Sequence, residues 1–243
     1  MREMGVGWWD EWDIGDGTIG QRYGATVKRY DLINRLIDDI KNDPYGRRKI
    51  VSLWQETDLR ETPGLAPCAF QTIWNVRNDN HKHLGRGEGY LDMMLVQRSG
   101  DMLTASGPGG INEIQYAALL MMVARHTGYK PGVFTHIVAN EQIYDRHIDA
   151  AMEMKKRYKD EERKESDETL TLNHLDAHPM LILNENKTNF YDFTIEDPKS
   201  ICIWSDCFLC FFLLFLSVEC VEGKVSCREG MGKHKISGDY RDV

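Results

Sequence analysis

Leu65-Ala66-Pro67-Cys68 sets a thiol directly after a proline, at the start of a run rich in β-branched and aromatic residues. A cysteine thiolate is a strong nucleophile, but populating it takes cationic neighbours or oriented donors. Without them Cys68 is a small buried hydrophobe, the common fate of a free thiol. The sequence offers cations at Arg47-Arg48, at Arg98 and among its eight histidines. Gln97-Arg98-Ser99-Gly100-Asp101 gathers an amide, a guanidinium, a hydroxyl and a carboxylate at the end of a strand. That set suits a phosphate gripped by Arg98 and Ser99, with Gln97 and Asp101 left for the rest of a ligand. As a plain surface turn it would bind nothing, and Arg47-Arg48 alone reads as a solvated basic pair.

Asn112 begins an apolar helix after Ser106-Gly-Pro-Gly-Gly110. Glycines before a helix can cradle phosphate, but this spacing matches neither a P-loop nor a dinucleotide fingerprint. A buried Asn instead reads a base or amide edge, with one acceptor and one donor. Late in the chain Cys207-x-x-Cys210 has zinc-knuckle spacing. Phe208 and Leu209 stand where a knuckle needs polar, turn-forming residues, so no metal is expected.

These residues must be held by regular elements. Val27, Tyr30, Ile33, Leu36, Ile37 and Ile40 recur at helical spacing, which predicts one amphipathic helix over Ala25 to Asn42, ended by Asp43-Pro44. Lys49 to Trp54, Cys68 to Val76 and Tyr90 to Arg98 read as strands. Ile111 to Thr127 is apolar nearly all round and reads as a central helix, capped by Gly128. A strand over Val133 to Val138 and a helix over Ile143 to Tyr158 follow, and Lys155 to Glu168 reads as a solvated helix end and surface loop. Met180 to Leu183 and Phe190 to Ile195 read as a final strand pair. Without regular β-α alternation, the class is α+β.

Whole-chain composition narrows the function classes. At 243 residues, 42% hydrophobic and 28% charged, the chain can bury one sizeable core and is neither collagenous, low-complexity nor a polytopic membrane protein. A net charge of -8 argues against binding along nucleic acid, which needs a basic face. Five of the six cysteines lie beyond residue 200 and Cys68 stands alone before them, a distribution that fits a reducing compartment, the cytoplasm. Met1 to Trp12 has no signal-peptide core. The apolar run from Cys207 to Val218 falls short of the roughly 20 residues a spanning helix needs.

In order along the chain come Trp9-Asp10-Glu11-Trp12, Tyr23-Gly24, Asp43-Pro44-x-x-Arg47-Arg48, Leu65-Ala66-Pro67-Cys68, Gln97-Arg98-Ser99-x-Asp101, Asn112-x-x-x-Tyr116 and Ile143-Tyr144-x-x-His147. This ordered set resembles the thymidylate synthase family. The resemblance runs over about residues 5 to 197 and takes in Tyr191-Asp192-Phe193 and Glu196-Asp197. It implies a mixed β-sheet packed with helices, and a methyltransferase that converts dUMP to dTMP. The co-substrate it implies is 5,10-methylenetetrahydrofolate, which leaves as dihydrofolate, with no metal. Cys68 is then the nucleophile on uracil C6, Asn112 reads the uracil edge, and Tyr23 and Gln97 support proton transfer. Arg98 and Ser99 hold the phosphate, Gln142 and Tyr144 the deoxyribose, Asp101 the pterin, and Trp9 and Trp12 line the folate. A homodimer is implied too, with Arg47 and Arg48 reaching the partner's site.

Some positions depart from the family pattern. Ala69 follows Cys68 where the family commonly has His, and Gln142 stands at another commonly His position. The Asp101 to Asn112 and Asp79 to Gly89 segments are enlarged. The family's N-terminal region and its short closing tail are not recognisable, so the expectation is an N-terminally truncated catalytic domain over 1–197 and a divergent Cys-rich tail over 198–243. Two other outcomes stay open at this point: a non-catalytic nucleotide-binding remnant or dimerisation module, and a deoxyuridylate hydroxymethylase, which uses water in place of hydride at the last step.

Overall fold

The computed structural model describes residues 10–78, 89–107, 110–165, 180–194 and 197–201. Trp9, residues 79–88 and the cysteine-rich tail from 202 onward lie outside the described residues.

The expected single helix over Ala25 to Asn42 is two helices, α1 (Gly24–Arg29) and α2 (Leu32–Asn42). The break falls at Tyr30-Asp31, where Asp31 takes a left-handed conformation with φ 51°. Its cause is tertiary. Buried Asp58, on α3 (Glu56–Glu61), accepts hydrogen bonds from Thr26 Oγ1, Arg29 Nη1 and Tyr30 Oη, and so fixes the direction of α1 separately from α2. Leu36, Ile37 and Ile40 then form the buried stripe of α2, which ends at Asp43 before Pro44.

The main sheet has the order β1-β2-β3-β5. β1 (Ile50–Ser52), β2 (Ala69–Asn78) and β3 (Gly89–Gln97) run antiparallel, and β5 (Lys130–Val138) joins β3 in parallel. A parallel neighbour requires a crossover, and α4 (Ile111–Thr127) supplies it, ending at Gly128 with φ 81° as its sequence predicts. Strand alternation sends Thr72, Trp74, Leu91, Met93, Leu95 and Gln97 inward, where Tyr116, Leu120, Val123 and Ala124 of α4 and the α2 stripe cover them. The opposite face is open and mixes apolar residues, with Ile50 52%, Ile73 36%, Val133 55% and Ile137 44% exposed, with polar ones such as Asn75 and the Arg77–Asp92 ion pair.

Two short strands carry the site. β4 (Gly100–Asp101) pairs in parallel with β6 (Glu141–Gln142), and a π-helical turn, Met102–Ser106, follows β4. This pairing holds residues 141–142 extended, so the helix expected from Ile143 begins only at Ile148. As α5 it runs to Glu165, through much of the charged stretch, where an Arg157–Glu153 ion pair of 2.9 Å spans one turn. The last strand pairing also differs. β7 (Met180–Leu183) pairs with β8 (Pro198–Ile201), while Phe190–Asp192 forms a 3₁₀ turn. That turn docks through Phe190 N–H on His126 Nδ1 at 3.0 Å and through the Tyr191 hydroxyl on Asn34 Oδ1 at 2.7 Å, which leaves it no sheet partner. The observed class is α+β, a mixed sheet with helices.

Candidate active site

Cys68 lies at the N-terminal edge of β2, half-buried and unpaired with any other cysteine among the described residues. Its carbonyl accepts from Arg98 N–H at 2.9 Å, and its own N–H donates to the Tyr23 hydroxyl at 3.2 Å. The Arg98 guanidinium folds over the loop: Nε donates to Pro67 O at 3.0 Å and Nη2 to Ala66 O at 3.0 Å. The same Nη2 stands 3.6 Å from Cys68 Sγ, and the guanidinium carbon lies 6.0 Å above the Trp54 ring. Two backbone carbonyls thus aim a positive charge at the sulfur, and the Nη1 hydrogens take no part in these bonds.

Tyr23 has φ 46°, a strained conformation for a residue with a side chain, just before α1. Neighbouring Arg22 is buried and donates to the carbonyls of Gln21, Asp58, Thr62 and Leu65, so the turn bearing Tyr23 and the loop leading to Cys68 are tied together. Burial pushes the Tyr23 hydroxyl pKa up, against a lowering contribution from the Cys68 backbone bond. Burial likewise raises that of Tyr116, with the Tyr23 charge adding to it.

Gln97 is fully buried and sits directly across β2 and β3 from Ala69. Its Nε2 donates to Ser99 O at 2.9 Å. Its Oε1 accepts from Asn112 Nδ2 and faces His136 Nε2, both at 3.1 Å. Close packing makes this possible: a Cβ on Gly100 would lie 1.8 Å from Ser106 Oγ and 2.9 Å from Gln97 Nε2. Asp101 is buried, accepts from Leu103 N–H at 3.2 Å and from the Thr104 hydroxyl, and has His147 Nδ1 at 3.5 Å. The β4–β6 pairing sets Gln142 beside Asp101, with exposed Tyr144 two residues on and its ring 5.9 Å from that of His147.

The structure therefore gathers Tyr23, Cys68, Gln97, Arg98, Ser99, Asp101, Asn112 and Gln142 around adjoining strand ends. Arg47 and Arg48 are not brought to this place within one chain. Trp74 N–H donates to Lys49 O, so the arginine pair lies beyond Trp74, about 20 Å along β2 from Cys68 at roughly 3.3 Å per residue. Trp12 sits exposed in a 3₁₀ turn, Asp10–Trp12, and the residues just after it pack on the loop ahead of Cys68 through Ile14 near Gly64. The glycines of the 106–110 segment serve sterics: a Cβ on Gly107 would lie 2.0 Å from Met102 O, and one on Gly110 2.6 Å from Ala105 O.

Sequence reasoning missed His136, Arg22 and Trp54. For His136 a signal existed, since Phe134 and His136 alternate onto the same face of β5, their rings stacked with centroids 6.1 Å apart. What it touches depends on a parallel register with β3 that local sequence does not specify.

Fold and site together define an α+β protein whose mixed sheet presents a cysteine, an arginine and a carboxamide pair at adjoining strand ends. The family model for thymidylate synthase matches residues 1–200. A thymidylate synthase from Lactococcus lactis subsp. lactis (strain IL1403) is 46% identical over 196 residues, covering 80% of this chain and 62% of that relative. One from Streptococcus sanguinis (strain SK36) is 42% identical over 194 residues, covering 79% of this chain and 61% of that relative. Among solved structures, thermostable thymidylate synthase A from Bacillus subtilis matches with a TM-score of 0.61 at 30% identity, covering 82% of this chain and 64% of that one. The chain belongs to the thymidylate synthase family. It spans less than two thirds of the length of these relatives.

Proposed function

We propose that this polypeptide carries the reductive methylation of dUMP to dTMP, taking 5,10-methylenetetrahydrofolate as co-substrate and releasing dihydrofolate. One observation carries the reading: Arg98 Nη2 stands 3.6 Å from Cys68 Sγ, next to a buried Gln97 that holds Asn112. The Cys68 thiolate adds to C6 of the uracil, and the C5–C6 electron pair moves to C5 and into O4. Asn112 accepts from N3–H and donates to O4, where that charge collects. Tyr23 and Gln97 support the proton transfers. C5 bonds the one-carbon unit and loses its proton as the amine that carried the unit departs; hydride then completes the methyl group, and the electron pair it displaces re-forms the C5–C6 double bond and expels Cys68. Arg98 through its remaining hydrogens, and Ser99, bind the phosphate, while Gln142 and Tyr144 bind the deoxyribose.

The folate fits the residues present. The buried Asp101 carboxylate keeps lone pairs beyond those taken by Leu103 and Thr104, enough to accept a pterin N–H. Trp12, with Trp9 outside the described residues, offers aromatic surface. When bound, the folate supplies the one-carbon unit and the hydride, so the chemistry calls for no metal. Among the described residues no cluster of three His, Cys, Asp or Glu side chains could hold one.

The proposal includes a homodimer. Its support is the open sheet face that exposes Ile50, Ile73, Val133 and Ile137, since large apolar side chains left exposed on one face mark an association site. Arg47 and Arg48, remote from their own Cys68, then serve the partner's phosphate site. We take 1–197 as the catalytic unit, acting in the cytoplasm, and 198–243 as a tail whose first residues, Pro198–Ile201, pair with β7. The proposed reaction requires neither nucleic acid nor a membrane. No helix among the described residues is long and apolar enough to cross a bilayer.

Product analysis tests the reading. Full-length chain, dUMP and methylenetetrahydrofolate should give dTMP and dihydrofolate in equal amounts. A hydroxymethylated nucleotide without dihydrofolate would assign the water-using reaction instead, and nucleotide binding without product would leave a binding remnant.

A further inference from the structure

We propose that His136 is a positioning residue that fixes which way round Asn112 presents its carboxamide, and so makes the site a reader of uracil rather than cytosine. The inference rests on the reading of Asn112 as the residue that meets the base. A carboxamide on its own does not discriminate. Turned one way it offers acceptor and donor to N3–H and O4 of uracil; turned over, it offers donor and acceptor to N3 and the amino group of cytosine. Selectivity therefore needs something to hold the amide in one sense.

Hydrogen-bond polarity shows what holds it. The Ser99 carbonyl can only accept, so Gln97 must present Nε2 to it at 2.9 Å. Gln97 is fully buried, and turning it over would set two acceptors face to face there. Oε1 must then face the other way, toward Asn112 Nδ2 and His136 Nε2, each at 3.1 Å. Asn112 is obliged to point nitrogen at Gln97 and to leave its oxygen for the base. His136 must carry hydrogen on Nε2, which fills the second lone pair of Oε1.

Ala69, directly across the sheet from Gln97, has no polar group. Without the imidazole, one Oε1 lone pair would go unmet in a buried place, and the Ser99 bond alone would set the sense of the Gln97 carboxamide that Asn112 follows. Packing keeps the imidazole from turning: its ring stacks on Phe134 at an interplanar angle of 19°. Burial lowers the His136 pKa, while Glu113 and Glu141, the charged groups facing it, oppose the shift. The ring is neutral near pH 7, with a single N–H, and Gln97 claims it at Nε2.

Equilibrium binding of dUMP and dCMP to the full-length protein provides the test. The unaltered chain should prefer dUMP. His136→Phe keeps the stacked ring and removes the donor; it should reduce the dUMP preference about tenfold, the worth of one buried hydrogen bond. His136→Gln restores a donor and should recover most of that preference, a rescue that a packing role would not produce. If His136→Phe retains the preference, the proposal is overturned while the role of Asn112 stands. If the unaltered chain does not distinguish the two nucleotides, the reading of Asn112 falls and this inference falls with it. Nitrogen-15 spectra of the imidazole in the unaltered protein give a check that no variant can spoil: hydrogen on Nε2 supports the proposal, and a neutral ring with hydrogen on Nδ1 overturns it.

Discussion

The two ends of the site are built on different principles. At the thiol end, Cys68 and Arg98 are fixed mainly by backbone: the carbonyls of Ala66, Pro67 and Cys68 hold the arginine, and the Tyr23 hydroxyl holds the Cys68 N–H. At the carboxamide end, Gln97 joins Asn112 and His136 through side chains, with the Ser99 carbonyl as the one backbone anchor. Backbone anchoring positions a charge without regard to which way a neighbouring amide faces. A side-chain network sets the order of donor and acceptor. On the proposed reading, reactivity belongs to the first arrangement and base selection to the second, so the two should fail separately.

Arg98→Ala should break the thiol end most severely. It removes the guanidinium from the sulfur, frees the Ala66–Pro67 carbonyls and withdraws the proposed phosphate ligand. Steady-state turnover of dUMP should fall by about 100-fold or more, since a bond to a charged group contributes roughly 1.5–3 kcal/mol and several are lost. Lysine is not a substitute, because it lacks the fork that spans two carbonyls and the sulfur. If Arg98→Ala instead changed the choice between dUMP and dCMP and spared the rate, the division between the two ends would be wrong.

Asn112→Asp probes the other end. It replaces the donor that Gln97 Oε1 accepts and should move preference from dUMP toward dCMP by about 10- to 100-fold in competitive binding, the worth of one or two hydrogen bonds. A thiol-reactive probe should find Cys68 unchanged. Altered thiol reactivity would show that the ends are coupled.

The smallest effect concerns pH. Burial lowers the pKa of both His126 and His136, with Lys41 adding to the shift at His126 and the carboxylates opposing it at His136. The unfolded chain therefore takes up protons before the folded one as pH falls. Stability should be flat above about pH 6.5 and decline below it, until the folded-state values are passed. Melting temperatures across that range check the sign, and His136→Gln should shrink the decline.

At the thiol end, Leu65-Ala66-Pro67-Cys68 and Gln97-Arg98-Ser99 supplied a thiol and a cation, each with a bland local reading, and only the ordered set of motifs pointed to their being neighbours. The helix over Ile111 to Thr127 and its Gly128 cap were plain, since periodicity and the capping glycine agree. Long-range partners were hidden. Asp58 splits the first helix by collecting Thr26, Arg29 and Tyr30. β6 delays α5 by pairing with β4, and β8 takes the place beside β7 expected of the segment that begins at Phe190. His136 reaches Gln97 only because β5 lies parallel to β3. In each case a contact distant in sequence overrode a sound local preference.

Release of tritium from C5-labelled dUMP tests the central claim most directly, since in the proposed reaction the label leaves only after Cys68 has added to C6. Full-length chain with methylenetetrahydrofolate should release tritium, and Cys68→Ala should abolish the release while still binding dUMP. No release from the unaltered chain, or release that persists in Cys68→Ala, would contradict the account.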